Sequence, residues 1–369
     1  MNFDFSDALK QLQDQARRFL AQHSTPRHVR AILDGTAPYD ASLWKGMAEM
    51  GWLGAAIPEE YGGVGLGHEG LCVLAEEIGR ALAPVPFGSS VYLATEALLL
   101  AGSPAQKEEF LPLLASGDAV GCLAWAEGPG NPLQSGIAAR FAQGTLTGTK
   151  WPAGDGSIAD IAVVLARDEA DGIRLVLADL HSGTVRRDAL PSLDPTRNQA
   201  RLVFDRTPAT VLPGDGAAIL NAVLDHAAVL TAFEQVGGAA ACLDMAVDYA
   251  RQRHAFGRPI GSFQAIKHKL ADVYIGNELA RSNAYYGAWA LSTGAPELTL
   301  AAASARVSAT DAYHLASKEN IQTHGGMGFT WEADCHLFYR RAKLLALNLG
   351  SAPYWKDRLV GALELRNAA

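Results

Sequence analysis

One stretch of the chain sets an arginine, two aromatic rings and an amide around a break between two helical segments. It reads YARQRHAFGRPI from Tyr249 to Ile260, and FQ follows after two more residues. Arginine presents a planar set of donors to phosphate oxygens, and an aromatic face can stack on a purine. A capped turn between helices would account for Gly257 and Pro259 alone. The stretch therefore predicts a site for phosphate and adenine, formed by Arg253, Phe256, Phe263 and Gln264.

A second stretch, IQTHGGMGFT from Ile321 to Thr330, combines a glutamine with a cluster of glycines. Glycine reaches backbone conformations with positive φ and lacks a Cβ, so its backbone can approach a ligand closely. Glycines also end helices, and a helix terminus is the alternative interpretation of this stretch. Beside the first stretch we favour a ligand-binding loop, whose candidate residues are Gln322, Gly325 and Gly326.

A third glycine-rich segment, between Gly65 and Gly70, matches the pattern G-x-G-x-x-G. In a dinucleotide-binding fold this pattern works only where a strand delivers the glycines to the start of a helix. The segment that precedes it here is a loop with a proline and two acids, Pro58 to Glu60. We therefore interpret the match as a glycine-rich turn.

The chain divides into three regions with different residue patterns, and these regions must position the stretches described above. Up to about residue 120 apolar residues recur at helical spacing, and from 121 to 212 short aliphatic runs predict strands. These runs are Ile161–Ala166, Arg174–Leu180 and Ala200–Phe204, and residues 144–151 predict a strand, a turn and a second strand. From 213 to 369 long helical blocks return, at about 215–254, 262–291, 297–323 and 333–361. We predict three domains, 1–120, 121–212 and 213–369, of which the last is an antiparallel helical bundle.

Composition and charge exclude several classes of partner. The chain has 369 residues, 49% of them hydrophobic, and a formal net charge of −8. This charge argues against a nucleic-acid or anionic-membrane surface, since both attract basic faces. We find no secretory signal and no uninterrupted apolar run of about 18 residues, so we expect no membrane span. The four cysteines are far apart and predict reduced thiols in a cytoplasmic protein.

Together with a passage near the N-terminus, the two ligand stretches resemble the acyl-CoA dehydrogenase family. The passage carries GWL from Gly51 and PEEYGG from Pro58. The stretch around Arg253 is similar to the family's R-x-x-F-G-x-P-I-x-x-F-Q signature, and the glycine loop to its Q-x-x-G-G-x-G-[YF] loop. The matches and the order of the three regions extend the resemblance over essentially the full chain.

The resemblance implies an α+β, mainly α fold, with an N-terminal α-helical domain, a middle β-barrel-like domain and a C-terminal four-helix bundle. It also implies FAD as cofactor, an acyl-CoA thioester as substrate and electron-transfer flavoprotein as electron acceptor. In the family's reaction a carboxylate removes the α-proton while the β-hydride passes to the flavin. The carboxylate must be held within hydrogen-bond reach of that proton.

Both family positions for this carboxylate hold apolar residues in the present sequence. In most relatives the base is a glutamate at a fixed distance after an Arg-Asp-Ala-Lys segment, and here that position is Leu349. Other relatives carry the base at a fixed interval before the signature arginine, which is Ala227 here. Asp225 and His226 point away from position 227 on a helix. Glu234 lies seven residues on, shares that face and is the weak candidate for a displaced base.

The segments that surround the flavin in the family depart from its pattern as well. The threonine of the family's T-E-P-x-A-G-S-D segment is Ala126 here. Trp151-Pro152-Ala153 stands where the family has an aromatic residue, Ile and Thr, so a hydroxyl and a backbone donor are lost. Ordinary drift would not predict losses at both ends of the same reaction.

The losses spare the residues that, in the family, reach the adenosine diphosphate end of FAD bound in a neighbouring subunit. This pattern favours a non-catalytic subunit of a heteromeric α2β2 acyl-CoA dehydrogenase, of the type used in bacterial breakdown of fatty acid or steroid side chains. FAD would then be shared across a subunit interface with a homologous partner. Two alternatives stay open: a self-sufficient homo-oligomer with a displaced base such as Glu234 or Asp225, and a flavin-free scaffold protein with the same fold.

Overall fold

A computed structural model describes residues 5–368, and every structural statement below refers to this range. Most of the chain is helical, and the strands fall in its middle. The α-helices are α1 (Asp7–His23), α2 (Pro26–Leu33), α3 (Ala41–Glu49), α4 (Gly67–Arg80), α5 (Phe87–Ser89), α6 (Glu96–Ala101), α7 (Pro104–Ser116), α8 (Pro132–Ser135), α9 (Gly216–Gln252), α10 (Gln264–Thr293), α11 (Leu298–His324), α12 (Cys335–Leu345) and α13 (Ala352–Ala368). A π-helical segment, Ser90–Thr95, joins α5 to α6, and short 3₁₀ turns lie at Glu59–Tyr61, Ile260–Ser262 and Gly325–Phe329.

The strands of the middle region form one sheet that closes on itself. They are β1 (Gly121–Ala124), β2 (Arg140–Ala142), β3 (Thr145–Gly154), β4 (Ile161–Arg167), β5 (Ile173–Asp179), β6 (Val185–Leu190) and β7 (Gln199–Val211). Strands β4, β2, β3, β7 and β5 follow one another, and β5 pairs again with β4, so five strands make a ring. Strand β1 adds to β4 and β6 adds to β7. The predicted barrel-like region is confirmed.

Three predicted strands are confirmed in place, and one prediction is wrong. The three aliphatic runs lie inside strands β4, β5 and β7 to within one residue, because β-branched and other apolar residues fit the pleated surface of a sheet. The predicted turn inside residues 144–151 does not exist, since β3 continues through this segment. Gly148, with φ of +146°, lies at a register shift between Leu146 and Gly148, which is a β-bulge. A bulge and a turn both favour glycine, which explains the error.

The C-terminal helices also agree with the sequence, except for the last block. Helices α9, α10 and α11 lie within about two residues of the predicted blocks. The block predicted at 333–361 is two helices, α12 and α13, separated by residues 346–351. The break contains Gly350, whose φ is +103°. Because the interruption is short, the apolar spacing of the two helices was interpreted as that of one continuous helix, and the break was missed.

The chain divides into two compact units. The first contains the residues up to Val29, then His68–Ala83, and all residues from Ala228 onward. The second contains Arg30–Gly67 and Pro84–Ala227, and includes the sheet. The three predicted domain ranges, with boundaries near residues 120 and 212, stay a prediction.

In the first unit α4 crosses α9 at two glycines. A methyl group on Gly79 would lie 1.8 Å from the carbonyl oxygen of Glu234, and one on Gly237 would lie 1.8 Å from that of Glu76. Backbones can approach this closely only where no Cβ intervenes. Two acidic side chains of α4 beside the crossing form ion pairs. Glu76 lies 2.6 Å from Arg281 on α10, and Glu77 lies 2.7 Å from Arg17 on α1. The crossing therefore joins α4 and α9 to α10 and α1.

Helix α9 is long and apolar enough to span a membrane by length and composition alone. However, 67% of its most apolar window is buried within the chain. Such a helix is typical of a protein core as well, so this feature is weak support for a span. Burial of this kind requires apolar residues on every face of a helix. The four cysteines are free and buried.

Candidate functional site

The stretch after α9 forms a tight hairpin. Two short strands, β8 (His254–Ala255) and β9 (Arg258–Pro259), pair antiparallel, and the turn between them is Phe256-Gly257. Both turn residues have positive φ, +53° and +77°, as a type I′ turn requires. Asn-Gly is the usual sequence for this turn, and a bulky residue in the first position is strained. Phe256 is also 95% exposed, so neither packing nor backbone preference explains it.

The other candidate residues of this stretch surround the hairpin. The backbone N–H of Ile260 donates to the carbonyl of Arg253 at 2.8 Å, which continues the hairpin pairing. The rings of Phe256 and Phe263 meet edge to face with centres 6.3 Å apart. Gln264 is exposed and begins α10. The structure thus brings the four candidates of the first stretch to one end of the helices.

The glycine loop has a backbone that only glycine adopts readily. Helix α11 ends at His324, and Gly325 follows with φ of +58° and ψ of −135°. Methyl groups on Gly325 and Gly326 would meet open space, whereas one on Gly328 would lie 2.4 Å from the carbonyl oxygen of Ile321. Gly328 is therefore needed for packing, and the first two glycines leave an open surface.

A ring stack brings the hairpin and the glycine loop together. Tyr249, one helical turn before Arg253, stacks on His324 with ring centres 4.1 Å apart. His324 is further held by its Nδ1, which lies 2.9 Å from the carbonyl oxygen of Asn320. All residues predicted to bind the cofactor therefore lie on two adjoining segments of the first unit.

The polar side chains among the predicted cofactor-binding residues have hydrogen-bond donors that the chain itself does not use. Arg253, Gln264 and Gln322 are exposed, and within the described residues their side chains form no ion pair and no hydrogen bond. A guanidinium and two amides can bind phosphate oxygens, and Phe256 offers a ring to a base. This donor set fits the adenosine diphosphate end of FAD.

The two positions of the family's base are closed and apolar. Leu349 lies in the break between α12 and α13 and is 1% exposed. Its carbonyl accepts a hydrogen bond of 3.1 Å from the indole of Trp355. Ala227 is fully buried on α9. Neither side chain can accept a proton.

Glu234, the weak candidate for a displaced base, takes part in a buried ion pair. Its carboxylate lies 3.4 Å from the guanidinium of Arg341, and each side chain is 1% exposed. Arg306 lies nearby, and burial lowers its pKa to about 9 although the charge of Glu234 opposes the change. Arg306 donates to Gln235 at 2.7 Å and to the carbonyl of Leu345. The alternative candidate, Asp225, is also buried.

In the second unit the segments that depart from the family's flavin pattern bind each other. The N–H of Trp151 donates to the carbonyl of Ala126 at 2.9 Å, and the N–H of Gly128 donates to the carbonyl of Trp151 at 2.8 Å. Ala126 has no hydroxyl, and Pro152 has no N–H. The donors that this segment retains at Trp151 and Gly128 are therefore already used within the chain.

A buried lysine, not expected from the sequence, supports the same segment. The ammonium of Lys150 lies 2.6 Å from the carboxylate of Glu127, which also accepts from the N–H groups of Ala138 and Ala139. Burial lowers the pKa of Lys150 to about 8 despite this partner. Burial would raise the pKa of Glu127, but its hydrogen bonds outweigh burial and hold the pKa below the ordinary value. The partners are 23 residues apart, so no local spacing marks the pair.

A second buried pair was also missed. On α9, His226 Nδ1 lies 2.8 Å from a carboxylate oxygen of Glu96, which begins α6. From the sequence alone, His226 was interpreted only as a neighbour of Ala227 that points away from it on a helix. A partner 130 residues away leaves no trace in the local pattern.

The comparisons with known proteins agree with the motifs and the fold. Residues 6–118 match the family model "Acyl-CoA dehydrogenase, N-terminal domain", and residues 214–355 match "Acyl-CoA dehydrogenase, C-terminal domain". The chain is 36% identical to acyl-CoA dehydrogenase IpdE2 of Mycobacterium tuberculosis over 334 residues, 90% of this chain and 89% of that protein. The chain belongs to the acyl-CoA dehydrogenase family.

Solved structures give the same result for the fold. A variant of the Tcur3481–Tcur3483 steroid ACAD has a TM-score of 0.90 at 30% identity, and covers 98% of this chain and 99% of its own. The ChsE4–ChsE5 complex from Mycobacterium tuberculosis has a TM-score of 0.90 at 27% identity, with 99% of each chain covered. The predicted acyl-CoA dehydrogenase fold is confirmed. The family's enzymes are oxidoreductases that use FAD to dehydrogenate acyl-CoA thioesters.

Proposed function

We propose that this chain is the subunit of a heteromeric acyl-CoA dehydrogenase that completes the FAD site of a homologous partner and supplies no catalytic base. One observation carries the proposal. Both base positions, Leu349 and Ala227, are apolar and buried, whereas the donors of Arg253, Gln264 and Gln322 are exposed and uncommitted. A chain under selection for its own reaction would need the opposite arrangement.

The residues of this chain act at the end of the cofactor remote from the chemistry. FAD, when bound, accepts the hydride from the β-carbon of the acyl-CoA. Arg253 neutralises phosphate charge, Gln264 and Gln322 donate to phosphate oxygens, and Phe256 packs against the base. Gly325 and Gly326 leave the backbone open to close approach. The partner supplies the carboxylate that removes the α-proton, and a steroid-derived acyl-CoA is the proposed substrate class, by analogy with the steroid ACAD.

The surface near these residues supports a protein neighbour. Four large apolar side chains are exposed there: Phe256, Met327, Phe329 and Trp331. Clusters of exposed apolar residues mark contact surfaces in soluble proteins. A neighbouring subunit would cover them and complete the nucleotide site at the same time. The electron acceptor proposed for the assembly is electron-transfer flavoprotein.

A self-sufficient enzyme with Glu234 as base is disfavoured by geometry. A base needs an accessible carboxylate, but this one is 1% exposed and lies against Arg341. Removing such a charge from its partner would cost several kcal/mol, on the order of 3–5.

The proposal is tested by purifying the chain alone and after co-expression with a family homologue from the same organism. FAD content is measured by visible absorbance, and turnover by reduction of an artificial electron acceptor with acyl-CoA substrates. We expect little FAD in the chain alone and a yellow, active complex with the partner. A yellow, active homo-oligomer of this chain would overturn the proposal. Absence of both FAD and any complex would indicate the flavin-free scaffold instead.

A further inference from the structure

A second arginine, Arg258, lies on the same face of the β8–β9 hairpin as Arg253. The register pairs Ala255 with Arg258, and directly paired residues present their side chains on one face. Side chains alternate along a strand, so Arg253, two residues before Ala255, shares that face. Two positive charges therefore stand beside each other on one small surface.

Within the described residues neither guanidinium has a counter-charge. Both arginines are exposed, and within the described residues neither forms an ion pair or a hydrogen bond. Like charges on neighbouring positions of a hairpin repel. An anion that bridges them would remove the repulsion, and a ligand with two adjacent negative groups would match both.

Arg258 is also held in place before any ligand arrives. Its Cζ lies 4.1 Å from the centre of the Phe263 ring, a cation–π contact. A guanidinium that lies over a ring can still donate to oxygen acceptors through its N–H groups. Phe263 in turn meets Phe256 edge to face, so the exposed ring and the stacked arginine form one platform. Less side-chain freedom is then lost on binding.

We propose that Arg258 is a second diphosphate ligand, which with Arg253 binds the nucleoside diphosphate end of the partner's FAD. This inference rests on the proposed function and adds a residue to it. The two guanidinium charges would then offset the charges of the two phosphate groups. Phe263 positions Arg258 for this role.

The test measures FAD affinity of the flavin-stripped complex by quenching of flavin fluorescence. Variants Arg253→Gln and Arg258→Gln are compared with Arg251→Gln, an exposed arginine on the last turn of α9 that makes the same change in charge. We expect the first two to weaken FAD about 10- to 100-fold, as for a lost charge-assisted hydrogen bond, and the control less than about twofold. Assembly of each complex is followed by size-exclusion chromatography with light scattering.

A further variant isolates the platform. Phe263→Leu should weaken FAD in the wild-type background but add little in the Arg258→Gln background, because both changes remove the same contact. Unchanged FAD affinity in Arg258→Gln would overturn the inference, and so would a complex that falls apart. If Arg253→Gln weakens FAD while Arg258→Gln does not, only the role of Arg258 fails. If neither variant changes FAD affinity, the cofactor-completing function fails as well.

Discussion

Leu349 shows at the residue scale how the chain departs from the sequence pattern of most members of its family. A carboxylate at this position would be surrounded by protein, since the side chain is 1% exposed and the adjoining carbonyl is bound by Trp355. An ionised group there needs a ligand or a compensating charge to be tolerated. The apolar residue is therefore the stable choice at this buried position.

Restoring the family's glutamate at position 349 should destabilise the folded chain. Leu349→Glu should lower the free energy of unfolding at pH 7.5 by about 3 kcal/mol, and more than the neutral control Leu349→Gln. Burial would raise the pKa of the introduced carboxyl above the unfolded value of about 4.3. The extra loss should thus be absent below that pH and grow as the pH rises. Urea unfolding at pH 5 and 7.5 measures it, and equal stability of the two variants at pH 7.5 would contradict the buried environment.

Lys150 makes a second residue-scale prediction that depends on pH. Its pKa in the folded chain is about 8, below the ordinary 10.5, because the ammonium is buried. A depressed pKa contributes stability that is fully present above 10.5 and lost as the pH falls through 8. Relative to Lys150→Met, the wild type should therefore gain on the order of 3 kcal/mol between these limits.

The measurement is urea unfolding of both proteins at pH 7.5 and pH 10. Lys45→Met is the matched control, since Lys45 is largely exposed and its ammonium lies 3.9 Å from the exposed carboxylate of Glu49. Exposed pairs contribute little, so this control should show no such difference. A constant gap between wild type and Lys150→Met at both pH values would show that Lys150 is not desolvated.

At the element scale the crossing of α4 and α9 predicts large effects for small changes. Gly79→Ala or Gly237→Ala places a methyl group 1.8 Å from a backbone carbonyl oxygen, which the facing helix cannot avoid without moving. We expect each to lower the free energy of unfolding by about 3 kcal/mol or more. Gly276→Ala on α10 meets no atom within 4 Å and should instead stabilise the chain by about 0.5–1 kcal/mol. Thermal and urea unfolding compare the three, and similar small shifts in all would contradict a close crossing.

The helices and strands also show which features a sequence can reveal. Strands β4 and β5 and helices α9 to α11 were predictable because their apolar periods extend over several residues. The break at 346–351 and the bulge at Gly148 were not, because each is a local exception within a longer period. The residues of the hairpin and glycine loop were recognisable as motifs. Their contact through Tyr249 and His324 joins α9 to α11 and depends on tertiary packing alone.

The buried charges were beyond prediction for a related reason. Lys150 lies on β3 and its partner Glu127 on the loop after β1, 23 residues earlier in the chain. Arg306 and its partner Gln235 are 71 residues apart. A lone charged residue in an apolar segment is usually exposed, so its burial follows only from its partner's position. Residue types led to a hypothesis for the cofactor-binding residues, which stays a prediction, but they gave no sign of which charges pair inside the fold.

At the scale of the whole molecule, charge and exposed apolar surface point to one end of the first unit. The chain carries a net charge of −8, yet the segment 251–269 contains five lysines and arginines and no acid. The exposed rings of Phe256 and Phe329 lie on the two motif segments that adjoin it. Since basic residues steer anions and exposed rings anchor protein contacts, one partner that carries a bound dinucleotide would satisfy both.

This view predicts where the chain becomes protected when the complex forms. Amide hydrogen exchange should slow at residues 254–260 and 325–330 on addition of the partner, by about tenfold or more, because burial at an interface suppresses local opening. The loop at Asp168–Gly172, held by its own hydrogen bonds in the second unit, is the internal control and should exchange unchanged. If the partner binds but leaves both motif segments unprotected, they do not contact it, and the exposed rings must serve another neighbour. If FAD alone protects them in the isolated chain, the cofactor is held without a partner, because only a site complete within one chain would order these segments.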